Sequence, residues 1–595
     1  MVVTAELPLI ASAFAFALAA IILALPRRRF RWRARGAFVA GVIAAAIPLL
    51  LYPFRDVTRS AGRALWEWSA VGGPTVQASY RFDGVAAVGI AAALCYTTAG
   101  LLAVQRASRR HPLLPAIMLA NGFVAIALAV TDDLVAATVV LGVVAALTGF
   151  AQLIVAPPSA SARLAGFYAL GMQSFVVAAL LISRTGAGSF GFGDIRATAI
   201  SPGVVLATSL GAALFAGLYP FIPWRYEGEP ARGAEREPLR GLLAMPAGVG
   251  ATIVLMRLLG ATEVDLSTLG LPQAQAWIRI AAVIIVVAAV LALIARRRPV
   301  PVPPLIVGGA LLLIIALYPG IHWSHAVLVA ALLSVTYAAA VSLALPEQWE
   351  VVRYDVTLAG VWIGLALGTP LAMAGALFLL LADAVGAVLA AIWLPPHRWY
   401  IATVATSTAY VGGVLGIGAG IRGADDLVTQ GLAVAALVAL LLLVLVHTGR
   451  ALSEALVPTE LDVAGGAVAF LGTSLLALLA GPVIHTGLDE TLGRPFGPAG
   501  PAAPFVIPAL AVSATLLVVV ARTLRPFLPD LRIVAGRLRA IVLVADPVPA
   551  MLASFRLLEG GAVRTSAVFG IFEQRGGVWL AALLIFALLL WATRT

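Results

Sequence analysis

The chain contains no lysine: all 39 of its basic residues are arginine. An amine side chain is therefore excluded wherever a proton has to be handed on. Arginine holds its proton too tightly for that task, which leaves histidine, of which there are six. Cysteine is nearly absent too. Cys95 is the only one and sits in an apolar run, so no disulfide within the chain and no cysteine-based metal or cluster site is possible. Charge of either sign is scarce, at 11% of 595 residues, which excludes an ordinary soluble globular protein.

What is abundant is apolar surface: 62% of residues are hydrophobic and mean hydropathy is +1.02. Runs long enough to cross a bilayer lie near 7–25, 37–53, 84–104, 112–130, 134–156, 164–183, 199–223, 241–259, 277–295, 304–320 and 324–346. They continue at 356–394 (long enough for two), 400–420, 430–447, 464–485, 504–523 and 576–592. A span needs about 20 apolar residues, so the fold class is an all-α polytopic membrane protein with roughly 14 to 18 transmembrane helices. The first run is followed by arginines and lacks a convincing cleavage site, so it reads as a retained helix.

The net charge of +11 resides in short loops and reads as a topology signal, with no nucleic-acid partner implied. Arg27 to Arg35 follow the first run, Arg106 to Arg110 the third, Arg225 to Arg240 the seventh and Arg296 to Arg298 the ninth. The intervening loops are poorer in arginine. By the positive-inside rule, loops after odd helices face the cytoplasm and the N-terminus faces outward, in a cell inner (plasma) membrane. The stretch Arg525 to Gly577 is basic and only partly apolar, which predicts a segment lying at the interface before a final span.

The stretch from Ala199 to Leu259 organises the rest. Pro220 and Pro223 close its first apolar segment and Pro246 lies inside its second, which predicts kinked or interrupted helices. In hydrocarbon such breaks survive where neighbouring protein or a hydrated cavity satisfies the freed backbone groups.

Several short patterns then line up in order. Tyr80-Arg81-Phe82-Asp83-Gly84 opens the third helix, and Thr131-Asp132-Asp133-Leu134 joins the fourth and fifth. Leu210-Gly211-Ala212 leads through Tyr219-Pro220-Phe221 to Trp224, Tyr226-Glu227-Gly228 follows, and Pro238 to Leu258 and Arg450 complete the series. This order resembles the antiporter-like membrane subunits shared by complex I, Mrp-type cation/proton antiporters and membrane-bound hydrogenases. The resemblance implies two inverted five-helix repeats with a broken helix in each, and membership of a multi-subunit membrane complex. On that reading the chain divides into N-terminal helices (1–110), a first repeat (111–259), a second repeat (277–450), further helices (464–523), an interfacial segment (524–577) and a last helix (578–595). Asp83, Asp133, Trp224 and Arg450 are its motif residues.

The same resemblance marks a departure. The family's working parts are buried ionisable residues: a glutamate on the fifth helix, a lysine on the seventh and a histidine or lysine on the eighth. Aligned on the shared turns, these fall at Gly142, Phe215 and near Ala244. The proton-path candidates that remain are Asp383, read as a lone carboxylate inside an apolar run, together with His447 and His325 towards helix ends. No metal-ligand cluster, nucleophile–base pair or cofactor motif is present, so no metal or cofactor is implied and catalysis by this chain alone is not expected. The glycines of Tyr410 to Gly423 suit helix packing better than a nucleotide. The expected role is thus an antiporter-like subunit of a redox- or cation-linked complex, structural or weakly proton-conducting, with other membrane subunits and the lipid bilayer as partners. The alternative is a self-contained secondary solute transporter.

Overall fold

The computed structural model describes residues 67–260 and 322–454, apart from short gaps at 70–74, 108–112, 156–157, 186–187, 197–199, 220, 222–236, 345–348, 394–398 and 425. Expectations for the first two runs, for 277–320 and for everything after 454 lie outside the described residues. So do Pro220, Pro223 and Trp224.

One small element was not expected. Strands β1 (Glu67–Ser69) and β2 (Thr75–Gln77) pair antiparallel, with Trp68 opposite Val76. Six helices follow up to the charged loop: α1 (Gly84–Ala107), α2 (Leu113–Val130), α3 (Leu134–Val155), α4 (Pro158–Ser183), the short α5 (Phe192–Arg196) and α6 (Pro202–Ala216). After it come α7 (Glu237–Gly260), α8 (Trp323–Ala344), α9 (Trp349–Leu367), α10 (Pro370–Trp393), α11 (Trp399–Gly420) and α12 (Leu427–Glu454). Among the described residues, α1, α3, α4, α7, α8, α10 and α12 are long and apolar enough to cross a membrane.

Helix boundaries follow local chemistry. The apolar run 356–394 divides at Gly368, whose φ of 64° no ordinary side chain adopts easily, and at Thr369. Thr369 Oγ1 then accepts from the Ala372 N–H at 3.4 Å, and Pro370 occupies the first turn, where its missing N–H does no harm. The run 199–223 is helical only to Ala216. Gly217 turns left-handed (φ 67°), and the Leu218 N–H returns to the Ala213 carbonyl at 3.1 Å. The next donor, Tyr219 N–H, is met by Ser334 Oγ of α8 at 2.8 Å. A neighbouring helix thus supplies the partner that lipid could not.

Pro246 has a different outcome from an interruption. α7 runs through it as one helix and lies at the centre of the fold, packed against α1, α2, α3, α6 and α9. The proline removes the donor that would serve Leu242 and crowds that turn. The adjacent Leu243 carbonyl accepts from Asn121 Nδ2 (3.3 Å) and Thr148 Oγ1 (3.2 Å), so side chains of α2 and α3 complete the disturbed turn. The end of α6 rests on α7 two residues further on. A Cβ at Gly248 would stand 3.2 Å from Ala216 Cα and 3.3 Å from the Phe215 carbonyl, so the two proline-marked segments meet there.

The glycine-rich α11 is a packing surface against α10. A Cβ on Gly375 would lie 2.4 Å from the Ile417 nitrogen, so the two backbones approach as closely as small residues permit.

Candidate functional site

Asp83 and Asp133 stand at equivalent places, each just before a helix. Asp83 Oδ1 accepts from the Ala86 N–H at 2.7 Å and Asp133 Oδ1 from the Ala136 N–H at 2.8 Å, which are N-caps for α1 and α3. Asp133 also receives the Gln77 N–H at 3.3 Å, tying β2 to α3. Asp83 does more. The Arg257 guanidinium, from the last turn of α7, lies 2.8 Å from its Oδ1 and donates to the Thr131 carbonyl at 2.5 Å. Arg257 and Asp83 are 2% and 1% exposed, so this is a desolvated ion pair. Beside it Arg81 pairs with Asp132 at 3.0 Å. One end of the bundle is thus locked by a network whose purpose is to join α1, the α2–α3 turn and α7.

Asp383, expected as a lone carboxylate, is paired. The Arg353 Nε of α9 lies 2.9 Å from its Oδ1, and the Tyr96 hydroxyl of α1 donates to its Oδ2 at 2.9 Å. Tyr354 turns its ring edge-to-face with Tyr96, centroids 6.0 Å apart, while the Arg353 guanidinium sits 5.1 Å over the Tyr354 ring. The cluster therefore draws on three helices. Sequence reasoning missed Arg353 because it precedes the apolar run by three residues and reads as a loop charge. Tyr96 offered no signal, being one aromatic inside an apolar helix.

His325 lies in the first turn of α8 and contacts Asp426 Oδ2 through Nε2 at 2.5 Å. Asp426 also caps α12, accepting from the Val428 and Thr429 N–H groups at 3.2 and 3.3 Å. Burial raises the Asp426 carboxyl, but the Val428 N–H, the His325 ring and the Thr429 N–H outweigh it and hold the group below its ordinary value. The His322 ring meets His325 edge-to-face at 5.1 Å. His447 lies in the last two turns of α12, three residues beyond its apolar span, and its side chain is buried. Arg450 is within the same helix. Asp383, His325 and His447 lie on three separate helices, and the contacts above do not join them into one chain.

The positions aligned with the missing relay are apolar and filled. A Cβ at Gly142 would stand 2.7 Å from Met172 Cε, which leaves no room for a glutamate without repacking. Phe215 is fully buried, stacked on Tyr168 at 4.9 Å and tilted against Phe175 at 6.2 Å. Ala244 is buried on α7.

No family model matches the chain, and no curated protein sequence matches it. Solved structures do. A chain of the respiratory complex I of Thermus thermophilus, solved with bound NADH, superposes with a TM-score of 0.53 at 17% identity, over 86% of this chain and 99% of that one. A chain of the Mrp complex from Dietzia sp. DQ12-45-1b gives a TM-score of 0.62 at 15% identity, over 97% of this chain. The chain has the antiporter-like fold. It spans 62% of the length of the Mrp chain. Within this fold the aspartates of the opening motifs are caps and clamp residues. A further buried charged pair, Arg353–Asp383, lies on helices that no motif singled out.

Proposed function

We propose that this chain is an antiporter-like subunit of a redox- or cation-linked membrane complex, and that its own role is structural or weakly proton-conducting. The observation that carries the second half is Phe215. Where the resemblance calls for a lysine, an aromatic side chain is stacked between Tyr168 and Phe175 in a packed interior. Charge in hydrocarbon is costly and titratable groups there normally mark a proton path. An aromatic stack neither binds nor releases a proton.

The similarity to chains from two multi-subunit assemblies supports a life among other membrane subunits. The two-repeat division, which rests on the resemblance, and an inner-membrane location with an outward N-terminus, which rest on the loop arginines, belong to the same proposal. Asp383 fits a structural part in it, since one carboxylate oxygen is ion-paired with Arg353 and the other accepts from the Tyr96 hydroxyl.

The test is proton uptake into liposomes holding the complex purified from native membranes. Asp383→Asn is expected to leave uptake within about twofold of wild type, well under the 1.4 kcal/mol that separates tenfold rates. Abolished uptake in an assembled complex would put Asp383 on a proton path and overturn the structural role. Recovery of the chain alone, as monomer or homo-oligomer, would favour the self-contained transporter instead.

A further inference from the structure

Half-way along α2, the side chain of Asn121 is 2% exposed and sits among α1, α3 and α7. Its Nδ2 lies 3.2 Å from Thr148 Oγ1 and 3.3 Å from the Leu243 carbonyl, and the Thr148 hydroxyl donates to the same carbonyl at 3.2 Å. This triangle sets the amide's orientation. A carbonyl oxygen only accepts, so the nitrogen has to face it and Oδ1 has to point away.

Oδ1 is buried and makes no hydrogen bond among the described residues. Thr97 Oγ1 on α1 shares that condition and presses on the next residue of α2: a Cβ at Gly122 would lie 2.4 Å from it. Buried acceptors are nearly always satisfied, by protein or by ordered water.

We propose that Asn121 Oδ1 and Thr97 Oγ1 form a neutral seat that holds at least one water inside the bundle, beside the turn disturbed by Pro246. The guest has to donate a hydrogen to the Asn121 carbonyl oxygen, which excludes an anion. A monovalent cation would need several converging oxygens, whereas the inner face of the triangle presents an amide nitrogen and a hydroxyl already engaged as a donor. Water is small, donates to Oδ1 and exchanges hydrogen bonds with the Thr97 hydroxyl, meeting the requirement of two to four polar partners. All the groups of the seat are uncharged. Water held there hydrates the bundle without a side chain to take up or release a proton. The seat stands on geometry and does not depend on the functional reading above.

The experiment is electron cryo-microscopy of the native complex at a resolution that resolves water. Density within hydrogen-bonding distance of Asn121 Oδ1 is expected in the wild type, with loss of that peak in Asn121→Leu while other internal waters stay. Thr97→Val keeps the asparagine and is expected to weaken or shift the peak, which covers the case in which the leucine variant does not assemble. A well-ordered Asn121 with no density beside Oδ1, or with Oδ1 bonded to a protein donor, overturns the seat. A peak present in sodium buffer and absent in choline buffer overturns water as the occupant.

Discussion

Arg353 and Asp383 meet at 2.9 Å with 8% and 2% of their surfaces exposed, so α9 and α10 share a charge pair that solvent scarcely reaches. Such a pair gains little over a well-packed apolar substitute, yet removing one partner strands the other. Arg353→Met or Asp383→Leu alone is expected to destabilise the protein by about 3–5 kcal/mol, and the double variant by clearly less. Unfolding of the four proteins in detergent, read as a double-mutant cycle, measures this. Additive losses would show that the pair is not coupled.

The two capping aspartates should differ in the same way. Asp133→Ala removes a cap and one tie to β2, an expected loss of about 1–2 kcal/mol. Asp83→Ala also leaves Arg257 buried without its carboxylate, and should cost about 3–5 kcal/mol. Thermal unfolding ranks them; equal losses would mean that the Arg257 contact contributes nothing.

Asp426 provides a pH dependence. Its folded carboxyl titrates below the unfolded value, so the charge-dependent stability is present above that value, about pH 4, and disappears as pH falls through the lower, folded one. The stability difference between wild type and Asp426→Asn should shrink towards zero as pH falls below about 4. A difference that grows as pH falls below about 4 would contradict this assignment.

The α10–α11 contact can be tested with one methyl group. Gly375→Ala forces a Cβ to within 2.4 Å of the Ile417 nitrogen, and overpacking of this kind costs about 1–3 kcal/mol. Gly149→Ala in α3 meets nothing within 4 Å and should be neutral or stabilise by up to about 1 kcal/mol. Comparable losses at both sites would point to backbone effects rather than packing.

The length of the apolar runs and the scarcity of charge were enough to establish a polytopic membrane protein, because bilayer thickness and charge cost act on composition directly. The resemblance singled out Asp83 and Asp133 as motif residues, but their capping bonds and the left-handed turn at Gly217 emerged only with the backbone. What the chain written out could not reveal is which distant side chains share a low-dielectric interior. Arg353 and Asp383 are thirty residues apart, Tyr96 and Asp383 nearly three hundred, and Asn121 meets Leu243 across the bundle. Helix packing alone made the expected lone carboxylate a member of a pair, kept α7 continuous through Pro246, and closed the Phe215 position with aromatic rings.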